Sequence, residues 1–152
     1  MSVFPTKILV ATDGSKEAEL ASSSAADLAQ RTGSELHVVY VGHMPHVYYE
    51  SPGATTLDPD LKRRMQERAE EGSKTILDEQ VRRIEETGAN VAEAHLRLGK
   101  PDDQIVRLAE EIGAGLIVLG SRGLGGVRRA LMGSVSDSII RHAHGPVLVV
   151  RE

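Results

Sequence analysis

The sequence predicts an α/β fold, an open parallel sheet of five strands with helices on both faces. Three observations predict it. Apolar strand patterns alternate with amphipathic helical patterns, the length of 152 residues suits one domain, and no internal repeat or low-complexity segment divides the chain. Strands separated by helices favour parallel pairing through right-handed crossovers. We therefore expect a single Rossmann-like domain over residues 1–152 with strand order 3-2-1-4-5.

The first half of the chain predicts two strands and two helices. β-branched runs mark the strands, and alanines at helical spacing followed by Gly33 mark the first helix. Three prolines and a glycine then predict a loop that is long by ordinary standards, and a charged amphipathic helix follows it. The predicted elements are a strand at 7–13, a helix at 15–31, a strand at 35–42, a loop at 43–60 and a helix at 61–87.

The second half predicts three strands and two helices. Residues 90–99 alternate between apolar and polar, as in a strand with one exposed face, and Pro101 followed by two aspartates marks a helix start. A fully apolar run predicts a buried strand near the middle of this half, and a run of valines predicts the closing strand. The predicted elements are a strand at 90–99, a helix at 101–112, a strand at 116–120, a helix at 134–145 and a strand at 145–152.

Composition excludes several classes of function. The chain has no cysteine, which removes disulfides, thiol catalysis and cysteine-based zinc sites. A net charge of −4, one phenylalanine and three tyrosines offer neither the charge nor the stacking surface that nucleic acid needs. No apolar run approaches a membrane span, and the N-terminus lacks the features of a signal peptide. We expect a cytoplasmic protein that binds neither nucleic acid nor membrane.

The segment GSRGLGGVRRALMGS, residues 120–134, follows a predicted strand and leads into a predicted helix. A glycine-rich loop at this place can present main-chain N–H groups to an anion at the positive end of the helix dipole. The lysine of a P-loop is absent, and so is the third glycine of the dinucleotide fingerprint. The pattern that remains is Gly120-x-x-Gly123, then nine residues, then Gly133-Ser134. The segment is also basic, and together these features predict a phosphate site. The alternative is that these glycines only loosen a surface loop.

The position of this segment in the predicted sheet also favours a ligand-binding site. Ligands of open α/β sheets bind beyond the carboxyl ends of the strands, where the strand order reverses. In the order 3-2-1-4-5 that reversal lies between the first and fourth strands, so Asp13 would face the glycine-rich segment. Asp13 could bind ribose hydroxyls or a metal ion on the phosphates, or it could cap the following helix. Both roles are compatible.

The whole chain resembles the universal stress protein family, specifically its ATP-binding branch, whose fold is that of the adenine nucleotide alpha hydrolases. The resemblance rests on ILVATDGS, VVYV, the helix start at Pro101, LIVLGSRG, LMGSVSDSII and PVLVV, and above all on the pattern G-x-x-G-x(9)-G-[ST]. It implies an ATP site, with Mg²⁺ or Mn²⁺ on the phosphates and no dedicated protein cage for the metal. The site residues that it implies are Ala11, Thr12, Asp13, Val41 (a main-chain contact to adenine), Gly120, Arg122, Gly123, Gly133, Ser134, Val135 and Ser136.

The function that the resemblance implies is a nucleotide-dependent switch in stress response, with slow or no hydrolysis and with protein partners not yet identified. No dedicated catalytic set is evident, although Arg122 or Arg128 could stabilise charge on a γ-phosphate. The alternatives are a weak ATPase and a binder of another adenine nucleotide such as cyclic AMP. The terminal strand, apolar on both faces, predicts a homodimer through Val147–Val150, the interface that the family commonly uses.

The six histidines do not support a catalytic or metal site at this level. His43 and His46 form a candidate metal pair, but two further ligands are not evident. His37 and His95 fall within strand patterns, which favours a structural role.

Overall fold

The structure is a computed structural model that describes residues 2–44, 58–121 and 133–151. Within these ranges, five strands and four helices alternate in the predicted order. Their bounds are β1 Lys7–Thr12, α1 Lys16–Thr32, β2 Glu35–Gly42, α2 Pro59–Glu86, β3 Val91–Leu98, α3 Pro101–Ile112, β4 Ala114–Gly120, α4 Ser134–His142 and β5 Val147–Val150.

The sheet has the order β3-β2-β1-β4-β5, and each strand pairs parallel to its neighbours. The predicted sheet order is therefore confirmed. The order reverses between β1 and β4, which places the carboxyl ends of these two strands on either side of the switch point. The outer strands are β3 at one end of the sheet and β5 at the other.

Each face of the sheet carries its own apolar layer, because successive side chains of a strand point to opposite faces. On one face, strand residues such as Ile8, Val38 and Val118 pack with buried residues of α1 and α2. On the other face, Leu9 and Ile117 pack with buried residues of α3 and α4. The expectation of helices on both faces is confirmed.

Local signals in the sequence set most helix ends. The Ser15 side chain caps α1 by accepting a hydrogen bond from the Ala18 N–H at 3.2 Å. Helices α1 and α3 end at Gly33 and Gly113, whose φ values of 65° and 70° lie in the left-handed region that glycine enters at little cost.

Several predicted boundaries are wrong by two residues or more. Strand β4 begins at Ala114 rather than at residue 116, and β5 begins at Val147 rather than at residue 145. Helix α2 begins at Pro59, because Asp58 caps it and proline is well suited to the first helical turn. The predicted loop therefore ends before residue 59, and its residues 45–57 lie outside the described part. Helix α4 ends at His142, not at residue 145, because Ala143 is already extended as the chain turns toward β5.

None of the helices in the described ranges combines the length and the apolar character required to cross a bilayer.

Candidate functional site

A cleft of about 350 Å³ lies at the carboxyl ends of β1, β2 and β4, on the sheet face that carries α3 and α4. Nine of the eleven predicted site residues line it. The other two, Arg122 and Gly123, lie outside the described residues, as do Arg128 and the His46 of the candidate metal pair. The nine are Ala11, Thr12, Asp13, Val41, Gly120, Gly133, Ser134, Val135 and Ser136.

The cleft also has lining residues that the sequence analysis did not assign to the site. Apolar side chains of Val39, Ile105 and Leu119 contribute to its walls, together with Pro101 and His43. A signal for Pro101 was present in the sequence, because it follows β3 closely and the carboxyl ends of parallel strands lie at the same edge. Ile105, one helical turn later, could have been placed from the same argument.

At the end of β1, the polar side chains have partners within the protein. The buried Thr12 hydroxyl donates to Gln80 Oε1 of α2 at 3.2 Å. Asp13 Oδ1 accepts a hydrogen bond from the Ser15 N–H at 2.9 Å, which fixes the turn between strand and helix. The residue that caps α1 is Ser15, so the expectation that Asp13 is the cap is wrong. Asp13 instead holds the turn and lies at the wall of the cleft.

The start of α4 forms the opposite wall. Its N-cap is Gly133, which supplies no side-chain hydrogen bond, and the next three residues all line the cleft. The first N–H groups of a helix have no intrahelical partner and lie at the positive end of its dipole. In α4 those groups are not satisfied by a cap side chain. The arrangement is suited to an anion.

Two hydrogen bonds fasten this helix start to the end of β4. The Ser136 hydroxyl donates to the Gly120 carbonyl at 2.7 Å, and the Gly133 N–H donates to the Ser121 carbonyl at 2.6 Å. Ser136 is almost completely buried. Its hydroxyl proton is therefore used within the protein, and its main chain is what it offers to a ligand.

Packing against α1 requires a glycine at position 120. A Cβ at this position would lie 2.9 Å from the Glu17 Cβ and 3.0 Å from the Glu17 carbonyl carbon. Glu17 is only 7% exposed, and Ser121 Oγ donates to its carboxylate. No pattern in the sequence points to Glu17, because an acidic residue in the first turn of a helix is ordinarily a solvated one.

A hydrogen bond joins the first turn of α3 to the middle of α4. Ser138 Oγ donates to Asp102 Oδ2 at 2.7 Å. This hydrogen bond favours the ionised carboxylate and lowers the pKa of Asp102 below its ordinary value of 3.8. A lowered pKa stabilises the folded protein above pH 3.8, and that contribution is lost as the pH falls through the folded-state pKa.

Replacing Ser138 with alanine should therefore raise the pKa of Asp102 toward its ordinary value and lower the stability of the protein at pH 7. An NMR titration of the Asp102 carboxyl carbon measures the first effect, and urea unfolding measures the second. Ser138→Thr keeps the hydroxyl and serves as the control. An unchanged titration in Ser138→Ala would show that the hydrogen bond does not set this pKa.

Comparison with known proteins identifies the family. The family model described as "Universal stress protein family" matches residues 5–151. A universal stress protein of Methanocaldococcus jannaschii is 34% identical over 147 residues, covering 96% of this chain and 82% of the relative. A putative universal stress protein of Staphylococcus aureus is 38% identical over 146 residues, covering 95% of this chain and 82% of the relative.

Solved structures agree with this assignment. The universal stress protein UspA from Lactobacillus plantarum superposes with a TM-score of 0.77 at 28% identity, covering 97% of this chain and 99% of that one. A universal stress protein solved in complex with cAMP gives 0.66 at 26% identity, with 96% of each chain covered. One from Archaeoglobus fulgidus, solved in complex with dAMP, gives 0.57 at 26% identity over 97% of this chain and 99% of that one. The chain belongs to the universal stress protein family.

Proposed function

We propose that this protein binds an adenine nucleotide in the cleft, with ATP as the ligand, and acts as a nucleotide-dependent switch in stress response. The observation that carries the proposal is the helix start at Gly133, which opens into the cleft without a side-chain cap. Such a terminus is suited to a phosphate group. Two relatives that were solved with cAMP and with dAMP support an adenine nucleotide.

The walls of the cleft match the parts of such a ligand. Its volume lies within the roughly 300–1,000 Å³ usual for small-molecule sites. Apolar side chains of Val39, Ile105 and Leu119 offer a surface for the adenine ring, and the main chain of Val41, which also lines the cleft, would contact the edge of that ring. The phosphates would lie at the start of α4, with Arg122 and Gly123 adding to their binding.

A divalent cation on the phosphates also fits these residues. Asp13 is the one carboxylate that lines the cleft in the described part of the chain, and the Ser134 hydroxyl lies on the opposite wall. Mg²⁺ is commonly held by one or two carboxylates together with substrate phosphates and water. The metal would therefore accompany the nucleotide and neutralise phosphate charge near Asp13.

The site supports binding rather than rapid turnover. The titratable side chains that line the cleft among the described residues are Asp13, Tyr40 and His43. Hydrolysis of ATP requires a positioned water and charge stabilisation at the γ-phosphate. Asp13, the carboxylate among them, already accepts a hydrogen bond from the Ser15 N–H. We therefore expect slow or no hydrolysis.

The first experiment is to release small molecules from freshly purified protein by denaturation and to identify them by chromatography and mass spectrometry. The metal-loaded protein is then titrated calorimetrically with ATP, ADP, cyclic AMP and GTP. ATP in the purified protein, or tighter binding of ATP than of the other three, supports the proposal. An affinity for cyclic AMP above that for ATP favours the second candidate, a cyclic-nucleotide binder. No binding of any nucleotide at millimolar concentration overturns both.

We also propose a homodimer through β5. This strand has no partner on its outer side among the described residues, and its Leu148 side chain is exposed. The Ile117 N–H donates to the Pro146 carbonyl and the Ser121 N–H to the Val150 carbonyl. Residues 146, 148 and 150 thus bond to β4, and by alternation Val147 and Val149 direct their main-chain groups outward.

An outward row of main-chain groups on an apolar edge strand favours pairing with a second chain. A twofold axis would place β5 of two copies side by side in antiparallel orientation, which is the isologous arrangement most homodimers use.

A further inference from the structure

Two histidines at the β2–β3 pair lie in direct contact. His37 Nδ1 is 3.0 Å from His95 Nε2, and the two rings are close to parallel, with an angle of 17° between their planes. Both side chains are largely buried, with exposed fractions of 4% and 10%. Two neutral imidazoles at this distance share one proton, so one nitrogen of the pair presents its lone pair to the other.

Glu93 completes a group of three candidate ligands. It lies opposite His37 in the strand register and two residues before His95, so all three side chains are on the same face of the sheet. Glu93 Oε2 is 3.9 Å from His95 Nε2. One ligand atom from each residue lies within 4.8 Å of the other two. The Glu93 side chain is 62% exposed, which leaves it free to turn and leaves the group open to solvent on that side.

A fourth residue orients the group. Glu35 Oε2 lies 3.1 Å from His37 Nε2, the ring nitrogen that does not face His95. A proton on Nε2 donated to this carboxylate leaves Nδ1 unprotonated and directed at the group. A carboxylate behind an imidazole is the usual outer partner of a metal-bound histidine, since it fixes the tautomer and raises the basicity of the ligand.

We propose that His37, His95 and Glu93 bind a divalent transition-metal ion of the Zn²⁺ type, with water as the fourth ligand and Glu35 as the outer partner of His37. Imidazole nitrogens select such ions over Mg²⁺, so this site is distinct in chemistry from the metal that accompanies a nucleotide. Two histidines and one glutamate with an open fourth position form a donor set that zinc uses in proteins.

The geometry requires only a small adjustment. At a Zn–N distance of about 2.05 Å, two nitrogens in tetrahedral arrangement are about 3.3 Å apart, so the pair must open by roughly 0.3 Å. His95 must move its proton from Nε2 to Nδ1, which changes its tautomer and leaves the ring neutral. Burial already lowers the pKa of His95 below its ordinary value of 6.5, which favours the neutral ring that a metal needs.

Binding would join the edge strand β3 to β2 by side chains in addition to the main-chain ladder. A ligand that binds only the folded protein raises its stability with concentration. We therefore expect Zn²⁺ to raise the melting temperature of the chelator-treated protein. The effect does not depend on nucleotide, because the two histidines are outside the lining of the cleft.

The test uses the full chain, treated with chelator and free of nucleotide. Calorimetric titration with Zn²⁺ should give one ion per chain, and Co²⁺ should give the visible absorption of a four-coordinate nitrogen–oxygen site. Glu93→Gln is the decisive variant, because its exposed side chain is not needed for folding. Loss of an outer partner of a metal ligand typically weakens metal binding about 10–100-fold, and we expect an effect of this size for Glu35→Gln. Glu93→Gln removes a ligand itself, so it should weaken Zn²⁺ binding by at least as much.

Two variants control for other histidines. His144→Gln removes an exposed histidine that is paired with Glu110 at 2.9 Å, a similar but isolated arrangement, and it should leave Zn²⁺ affinity unchanged. His43→Gln tests the other candidate pair of the sequence and should also have no effect. Zn²⁺ affinity unaltered in Glu93→Gln, affinity lost in His43→Gln, or no binding at 100 μM Zn²⁺ would each overturn the proposal.

Discussion

Replacing Gly133 with valine should weaken ATP binding at least 100-fold and leave the fold intact. The β-branched side chain would stand at the N-cap of α4, beside the N–H groups that we assign to the phosphates. A factor of 100 corresponds to about 2.8 kcal/mol of binding free energy. The backbone at residue 133, with φ −64° and ψ 157°, is one that valine adopts without strain. Calorimetric titration with ATP and Mg²⁺ measures the effect.

Folding must be checked in the same variant. Valine is a poorer N-cap than glycine, so a loss of stability of at most about 1 kcal/mol is expected. Gly145→Val is the matched control, since it lies beyond the other end of α4 and a Cβ there meets no atom within 4 Å. It should bind ATP normally. ATP affinity preserved in Gly133→Val would place the phosphates elsewhere in the protein.

Replacing Val149 with proline should convert the dimer to a monomer. Val149 directs its N–H to the outer edge of β5, so proline removes a donor from the proposed interface and none from the ladder with β4. Light scattering coupled to size exclusion should show the mass falling from twice 16.4 kDa to 16.4 kDa.

The control for this variant is Val149→Ala, which loses apolar packing but keeps the N–H. We expect it to remain a dimer at micromolar concentration, while thermal unfolding reports the packing that both variants lose. A dimeric Val149→Pro would locate the interface away from this strand, and a monomeric parent protein would exclude the dimer altogether.

The sheet order could be predicted because each strand carries its own evidence. β-branched runs, caps such as Ser15 and glycines such as Gly33 act locally, and the alternation of elements leaves few topologies. The lining of the cleft was likewise foreseeable, because carboxyl ends of parallel strands meet at one edge. The resemblance to a family supplied Val41, Val135 and Ser136, which local patterns alone do not reveal.

What the sequence did not reveal depends on contacts between distant residues. The close approach of Glu17 to Gly120 joins positions that are far apart in the chain, and no periodicity records it. His37 and His95 each fit a strand pattern, and only the register of β2 with β3 brings them together. The predicted start of α2 was wrong because Pro59, a residue type usually associated with loops, begins this helix.

The hydrogen bond from the Gly133 N–H to the Ser121 carbonyl has an evolutionary consequence. The chain leaves the sheet at Ser121 and returns to the same place at Gly133, so residues 122–132 connect two points that the fold already holds together. For a connection between two such points, doubling the number of residues costs only about 0.6 kcal/mol of closure free energy. Insertions and substitutions there can change which ligand is preferred while the scaffold keeps its stability. Diversification of ligand choice among descendants of this protein should therefore concentrate in that interval.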